Sequence, residues 1–415
     1  MMRTISRLTG AAYGIHLSDQ VALVSVPLIA SLVFNASPQV IGILVACQSM
    51  AHLLGSIPFG ILVDSIQQRN LTIAASLVSL TGFSGAVLAI MYGSIVLFGA
   101  SVTLAGFGVV LFGLAALSIL PKISERARLA KANAAIEVPR AITSFAVPLL
   151  IGLYFTAVAP VLIVAIGVLA SLLAVCFTAT LPTVEMHRHA GSPVFRRIAQ
   201  GGDFVLRHRL LRPISLCAVF WNLAFAALLV VLVPVIREVY MIDAGAFGMG
   251  LSAFGLASLV GALVMKRFSD RISPNLTLLF GPGSSACAAL GMVLIPTGSS
   301  PAVFYACAFL LGFGPSMWLV TQNSVRQLVT PSGRLGSVNA VIQTAIYGVR
   351  PIGALAGGIV AGSFDPQTGM VFVAVAFGAS FLAAVCSDLR GLRSYAELTN
   401  RDEPAYTDGR LAAQV

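Results

Sequence analysis

The segment RLAKANAAIE at residues 128–137 returns as RLGSVNAVIQ at 334–343. Arg, Leu, Asn, Ala and Ile hold the same places in both copies, at an offset near 206 residues. DSIQQRNLT (64–72) returns, one residue shorter, as DRISPNLT (270–277), and Pro27 and Pro234 sit at similar depth in the first apolar run of each half. The chain is therefore two copies of one unit, and its fold is a fold of halves.

Composition says what the unit is. Of 415 residues, 58% are hydrophobic and only 10% charged, with a mean hydropathy of +0.94. Soluble domains carry about 25% charged residues, and here the deficit runs through the whole chain. A helix crossing the hydrocarbon needs about 20 apolar residues, so twelve crossings need about 240, close to the hydrophobic share of this chain. The apolar runs are longer than membrane β-strands and do not alternate, which excludes a barrel. Gly, Pro and charge divide the sequence into twelve candidate transmembrane helices, near 9–34, 39–63, 71–91, 95–120, 134–157, 160–181, 213–237, 248–266, 275–295, 301–325, 337–362 and 369–387.

The expected fold is an all-α polytopic membrane protein. It has a six-helix bundle over 1–181, a basic linker over 182–212, a second six-helix bundle over 213–387 and a tail over 388–415. Six crossings return the chain to its starting side, so the copies are parallel repeats about an axis along the membrane normal. Such duplication suits a carrier that rocks around a central site. The first apolar run leads into further spans, so no cleavable signal peptide is expected. The six cysteines all lie inside apolar runs and form no C-x-x-C, which argues against disulfides or a metal site.

The net charge of +10 is a matter of topology rather than of nucleic acid. With both termini on one side, that side collects 22 of the 25 basic residues, and the opposite side has only Arg237. Cytoplasmic loops accumulate Lys and Arg, so both termini are expected in the cytoplasm of a bacterial inner membrane. The linker stretch VFRRIAQGGDFVLRHRLLR mixes apolar and basic residues and could form an amphipathic helix lying on anionic lipid. The two remaining basic residues, Arg140 and Arg350, fall inside spans.

Twelve spans in a six-plus-six repeat, with a Gly-to-Asp loop after span two, resemble the major facilitator superfamily. That loop reads Gly60-Ile-Leu-Val-Asp64-Ser-Ile-Gln-Gln-Arg69; its second copy keeps Asp270 and Arg271 but has Lys266 where Gly60 stands. RLAKANAAIE and RLGSVNAVIQ…GVRPIGALAGG are similar to the branch holding the enterobactin exporter and the transmembrane secretion effectors. The resemblance implies that Gly60, Asp64, Arg69, Asp270 and Arg271 form a cytoplasmic gate, closed in the outward-open state. It also implies a cavity lined from spans one, four, seven and ten, for which Trp221, Asn222, Tyr305, Trp318, Gln322 and Asn323 are candidates. VPLLIG in span five resembles a degraded antiporter motif, lacking the Gly before Pro148.

Charged residues inside the membrane are rare and mark pathways or proton relays. Asp19 lies about ten residues into span one, about 15 Å deep at 1.5 Å per residue, where carriers place their sites. Its candidate partners are Arg140, His16 and Arg350; span one neighbours span five in a facilitator half, so the resemblance favours Arg140. Glu137 and Arg140 are three apart and share a helix face. An acid that gains and loses an arginine neighbour would release and bind a proton. Gly353, Gly357, Gly358 and Gly362 form small-xxx-small pairs for close helix packing.

No hydrolase, metalloprotease or nucleotide-binding signature is present, so no enzymatic activity and no cofactor are expected, and energy would come from a gradient. The sequence points to a monomeric, proton-coupled exporter of a small amphiphile, siderophore-like or drug-like, with protons and lipid as the other partners. Uptake of a small solute and a non-transporting sensor on the same scaffold remain alternatives.

Overall fold

The computed structural model describes residues 2–123, 129–155, 157–183, 194–269, 271–331 and 335–399. Asp270, part of the linker and the last residues of the tail lie outside them. All regular structure among the described residues is helical. The first bundle comprises α1 (Met2–Leu32), α2 (Pro38–Ser65), α3 (Gln68–Met91), α4 (Ile95–Ile123), α5 (Leu129–Tyr154) and α6 (Pro160–Ala179). A linker helix, α7 (Val194–Arg207), leads to the second bundle: α8 (Leu211–Pro234), α9 (Gly245–Phe268), α10 (Pro274–Val293), α11 (Pro301–Val329), α12 (Leu335–Ser363) and α13 (Pro366–Val385). A one-turn helix, α14 (Ala396–Thr399), follows.

Eleven of these helices are long and apolar enough to cross a membrane, and α5 adds a shorter apolar stretch, Val138–Tyr154. Leucines on the outer faces, such as Leu169, Leu172 and Leu382, are exposed, as a lipid-facing surface requires. Proline starts α2, α6, α10, α11 and α13, where its missing N–H costs no hydrogen bond. The two first helices of the halves end differently. α1 runs on past Pro27, whereas α8 stops at Pro234 and continues as one π turn, Val235–Val239.

The bundles meet most extensively through two pairs, α2 with α12 and α5 with α9. Both pairs rely on glycine. A Cβ on Gly358 of α12 would lie 2.6 Å from the Pro38 carbonyl of α2, and one on Gly152 of α5 would lie 2.6 Å from the Met249 nitrogen of α9. On the other side of α12, Gly353 and Gly357 press against Leu223 and Ala227 of α8. The glycines of α12 thus serve two faces, one within its bundle and one across the divide. Arg237 Nη1 donates to Ser31 Oγ (3.1 Å), and these residues are 206 apart. They occupy equivalent places in the two repeats, so their contact marks the repeat axis.

The core is divided by depth. On the side away from the termini, one continuous apolar cluster joins both bundles, from Val21–Ala30 of α1 to Ala354 and Ala361 of α12. On the side of the termini there are two separate clusters. One, around Ile15, Phe112 and Ile119, belongs to the first bundle; the other, around Ile214, Val325 and Ile342, belongs to the second. Among the described residues, the core is continuous on the far side and parted on the near side.

Candidate functional site at the floor of the parted half

Between the far core and the near cores lies a polar layer. On α1 the near core ends at Ile15 and the far core starts at Val21; His16 and Asp19 fall between. On α5 the gap from Ile136 to Val147 holds Arg140. On α8 the gap from Cys217 to Ala224 holds Asn222, and on α12 that from Ile342 to Ala354 holds Tyr347 and Arg350. Four helices therefore break their apolar packing at one depth. Helices from both bundles surround α1, so its partly exposed residues Tyr13, His16, Asp19 and Gln20 face the parting rather than lipid.

The charges of this layer act on one another. Asp19 lies within electrostatic reach of both Arg140 and Arg350, and His16 is within reach of Arg140. Asp19 makes no direct hydrogen bond or ion pair among the described residues. Arg350 is held firmly. Its Nε donates to Asn222 Oδ1 at 2.9 Å, while Asn222 Nδ2 donates to the Ala218 carbonyl at 2.9 Å. The guanidinium carbon lies 5.5 Å from the centre of the Tyr347 ring, within cation–π range.

The remaining expected lining residues sit elsewhere. Trp221 donates to Ser285 Oγ (3.0 Å) and stacks on Phe225 at 5.0 Å, inside the second bundle. Tyr305 packs beside Phe304 against the far core. Trp318 packs against the near core of the second bundle, its side chain filling the space over Gly281. Gln322 donates to Asn323, which also accepts from Arg326, both at 2.7 Å. Of the six, only Asn222 touches the charged layer.

At the expected gate, Gly60 and Asp64 lie in the last turns of α2. Arg69 donates to the Ala179 carbonyl (2.8 Å), beside Arg7 on the Thr180 carbonyl (2.7 Å). Both arginines neutralise the negative end of α6 within their own bundle, and Arg271 is exposed. The surroundings of Gly60 and of the Asp64 side chain, like Asp270, lie outside the described residues. Tyr347, Gln20 and Tyr13 escaped the sequence reading. For Tyr347 the signal was its spacing of three from Arg350 on a helix.

Two helical bundles, sealed on one side and parted on the other around a layer of charge, define a membrane transporter. The sequence matches the profile of the Major Facilitator Superfamily over residues 8–354; the chain belongs to that family. Solved structures share the fold at low identity. The nucleoside transporter NupG is 11% identical, with a TM-score of 0.74 over 92% of this chain and 98% of its own. A bacterial homologue of the lysosomal transporter Spinster, inward-facing and unoccupied, is 13% identical, with a TM-score of 0.70 over 95% and 98%. A D-xylose–proton symporter is 12% identical, with a TM-score of 0.69 over 95% and 98%. No protein of curated function matches the sequence.

Proposed function

We propose that this transporter is a proton-coupled carrier that exports a small amphiphilic molecule, siderophore-like or drug-like, by alternating access. One observation carries the coupling: Asp19 shares its layer with an arginine from each bundle. Arg140 stands on α5, which packs against α1 in the same bundle, so its distance to Asp19 is kept as the bundles rock. Arg350 stands on α12 of the other bundle, so its distance changes. A carboxylate that loses a cationic neighbour takes up a proton, and one that regains it releases the proton. Arg350 is thus the exchanged partner and Arg140 the constant one.

Export rests on the resemblance of RLAKANAAIE and RLGSVNAVIQ to the enterobactin-exporter branch. The basic near side supports a reading with both termini in the cytoplasm of a bacterial inner membrane. There α7, with Phe204 and Val205 turned into the near core and Arg207 exposed, meets anionic lipid, and the protein works as a monomer. Uptake together with a proton is a second reading. It is favoured by Arg350, since an anion seated there would bind along with a proton on Asp19 rather than in exchange for it.

The test is flux in proteoliposomes with an imposed pH gradient, comparing wild type with Asp19→Asn over panels of siderophores, drugs and sugars. Wild-type flux should follow the gradient and the variant should not. Identical responses in both would remove Asp19 from the coupling, and the direction of the gradient that drives flux separates export from uptake.

A further inference from the structure

Arg350 is a cation prepared for something outside the protein. Its Nε is occupied by Asn222, and that amide is itself fixed on the helix backbone. The Tyr347 ring limits the swing of the guanidinium. Nη1 and Nη2 have no hydrogen-bond partner among the described residues. A guanidinium fixed through Nε presents its two terminal nitrogens as a planar fork, which matches the two oxygens of a carboxylate or sulfonate. Asn222 lies on α8 next to Trp221, whose ring stacks on Phe225 inside the second bundle.

We propose that the Arg350–Asn222–Tyr347 unit is the clamp for the cargo's anionic group, and that the cargo is a monoanion. The proposal names the substrate class of the site described above and rests on reading that layer as the cargo site. The titratable groups facing Asp19 are Arg140 of α5, Arg350 of α12 and, one turn along α1, His16; Glu137 lies one turn before Arg140 on α5. An anion on Arg350 offsets part of the positive field at Asp19, so anion and proton bind together, which is the coupling of the uptake reading.

The test uses three matched probes, 2-naphthoate, its neutral amide and the corresponding methylammonium, titrated calorimetrically into the full chain in nanodiscs. Wild type should bind naphthoate more tightly than the other two. Arg350→Gln should weaken naphthoate about ten- to a hundred-fold, the range of a hydrogen-bonded charge, and leave the amide unchanged. Arg350→Lys should restore part of the affinity, and Asn222→Ala should weaken naphthoate several-fold. Repeating the titration in buffers of different ionisation enthalpy should show proton uptake on naphthoate binding in wild type and none in Asp19→Asn.

No naphthoate binding to wild type, equal affinity for the ammonium probe, or unchanged affinity in Arg350→Gln would each overturn the proposal. A conformational equilibrium that still follows pH without any probe would then leave the proton-coupling reading standing. If that equilibrium ignored pH while naphthoate still bound through Arg350, the coupling would fail and the clamp would stand.

Discussion

Gly358→Ala should open the far side. The new methyl would sit 2.6 Å from the Pro38 carbonyl oxygen and 3.0 Å from Gly42 Cα, against at least 3.4 Å for ordinary contact. Both obstacles are backbone of α2, so neither can rotate away and the helices must part by about 0.8 Å, the shortfall of 2.6 Å against 3.4 Å. Overpacking of this kind costs about 1–3 kcal/mol. The cost falls only on the state in which α2 and α12 meet on the far side. The helix-propensity gain of about 1 kcal/mol for Ala over Gly is common to both states and cancels. At 1.4 kcal/mol per factor of ten, the equilibrium shifts about five- to 150-fold toward the far-open state. Spin labels at exposed Tyr92 and Phe364, on opposite bundles at the far ends of α3 and α12, would read the change as a longer distance in pulsed electron resonance, in a cysteine-free background. Gly348→Ala on the same helix is the control, since its Cβ would meet only Leu53 Cδ1 at 3.5 Å. A Gly358→Ala distance distribution identical to that of the control would refute the reasoning.

Removing the contact on the repeat axis by Arg237→Ala should favour far-side opening about fivefold, the worth of one hydrogen bond of about 1 kcal/mol; the same labels measure it. Ser79 and Ser171 hydroxyls pair at 2.9 Å between α3 and α6, both fully buried. Ser171→Ala should lower stability by about 1–3 kcal/mol, read by thermal unfolding in detergent, without changing the response of the labels to pH. Asp365 caps α13 by accepting from Thr368 N (2.8 Å) and Thr368 Oγ1 (2.7 Å), and those bonds hold its carboxyl below the usual carboxylate range. Its contribution is therefore present above the unfolded-state value and lost as pH falls through the folded one. The melting-temperature difference between wild type and Asp365→Asn should be present at neutral pH and shrink in acid.

Much of this architecture is written in the sequence, because membrane spans need long apolar runs and the repeat is visible in RLAKANAAIE and RLGSVNAVIQ. The charged layer was legible for the same reason: Asp19, Arg140 and Arg350 stand out against apolar neighbours. Rotation about each helix axis was not legible. When nearly every face is apolar, hydrophobic periodicity no longer tells a packed face from a cavity face, so the neighbours of Trp221, Tyr305 and Trp318 were not readable. The same uncertainty hid the grip of Asn222 and Tyr347 on Arg350, which depends on α8 and α12 turning those side chains toward each other. The division of labour among Gly353, Gly357, Gly358 and Gly362 needed the helix neighbours, although their spacing announced close packing. The far-side seal could not be foreseen, since one sequence serves both states of a rocking carrier.

The central claim is that protonation of Asp19 and rocking of the bundles are one equilibrium, joined through Arg350. It is tested most directly by following the Tyr92–Phe364 label distance in nanodiscs, with no cargo present, as pH is lowered from neutral into the carboxylate range. Wild type should redistribute between the far-sealed and far-open distances. Asp19→Asn should hold one distribution at every pH, and Arg350→Gln should weaken the redistribution. A wild-type distribution that ignores pH, or an Asp19→Asn variant that follows it as wild type does, would contradict the account.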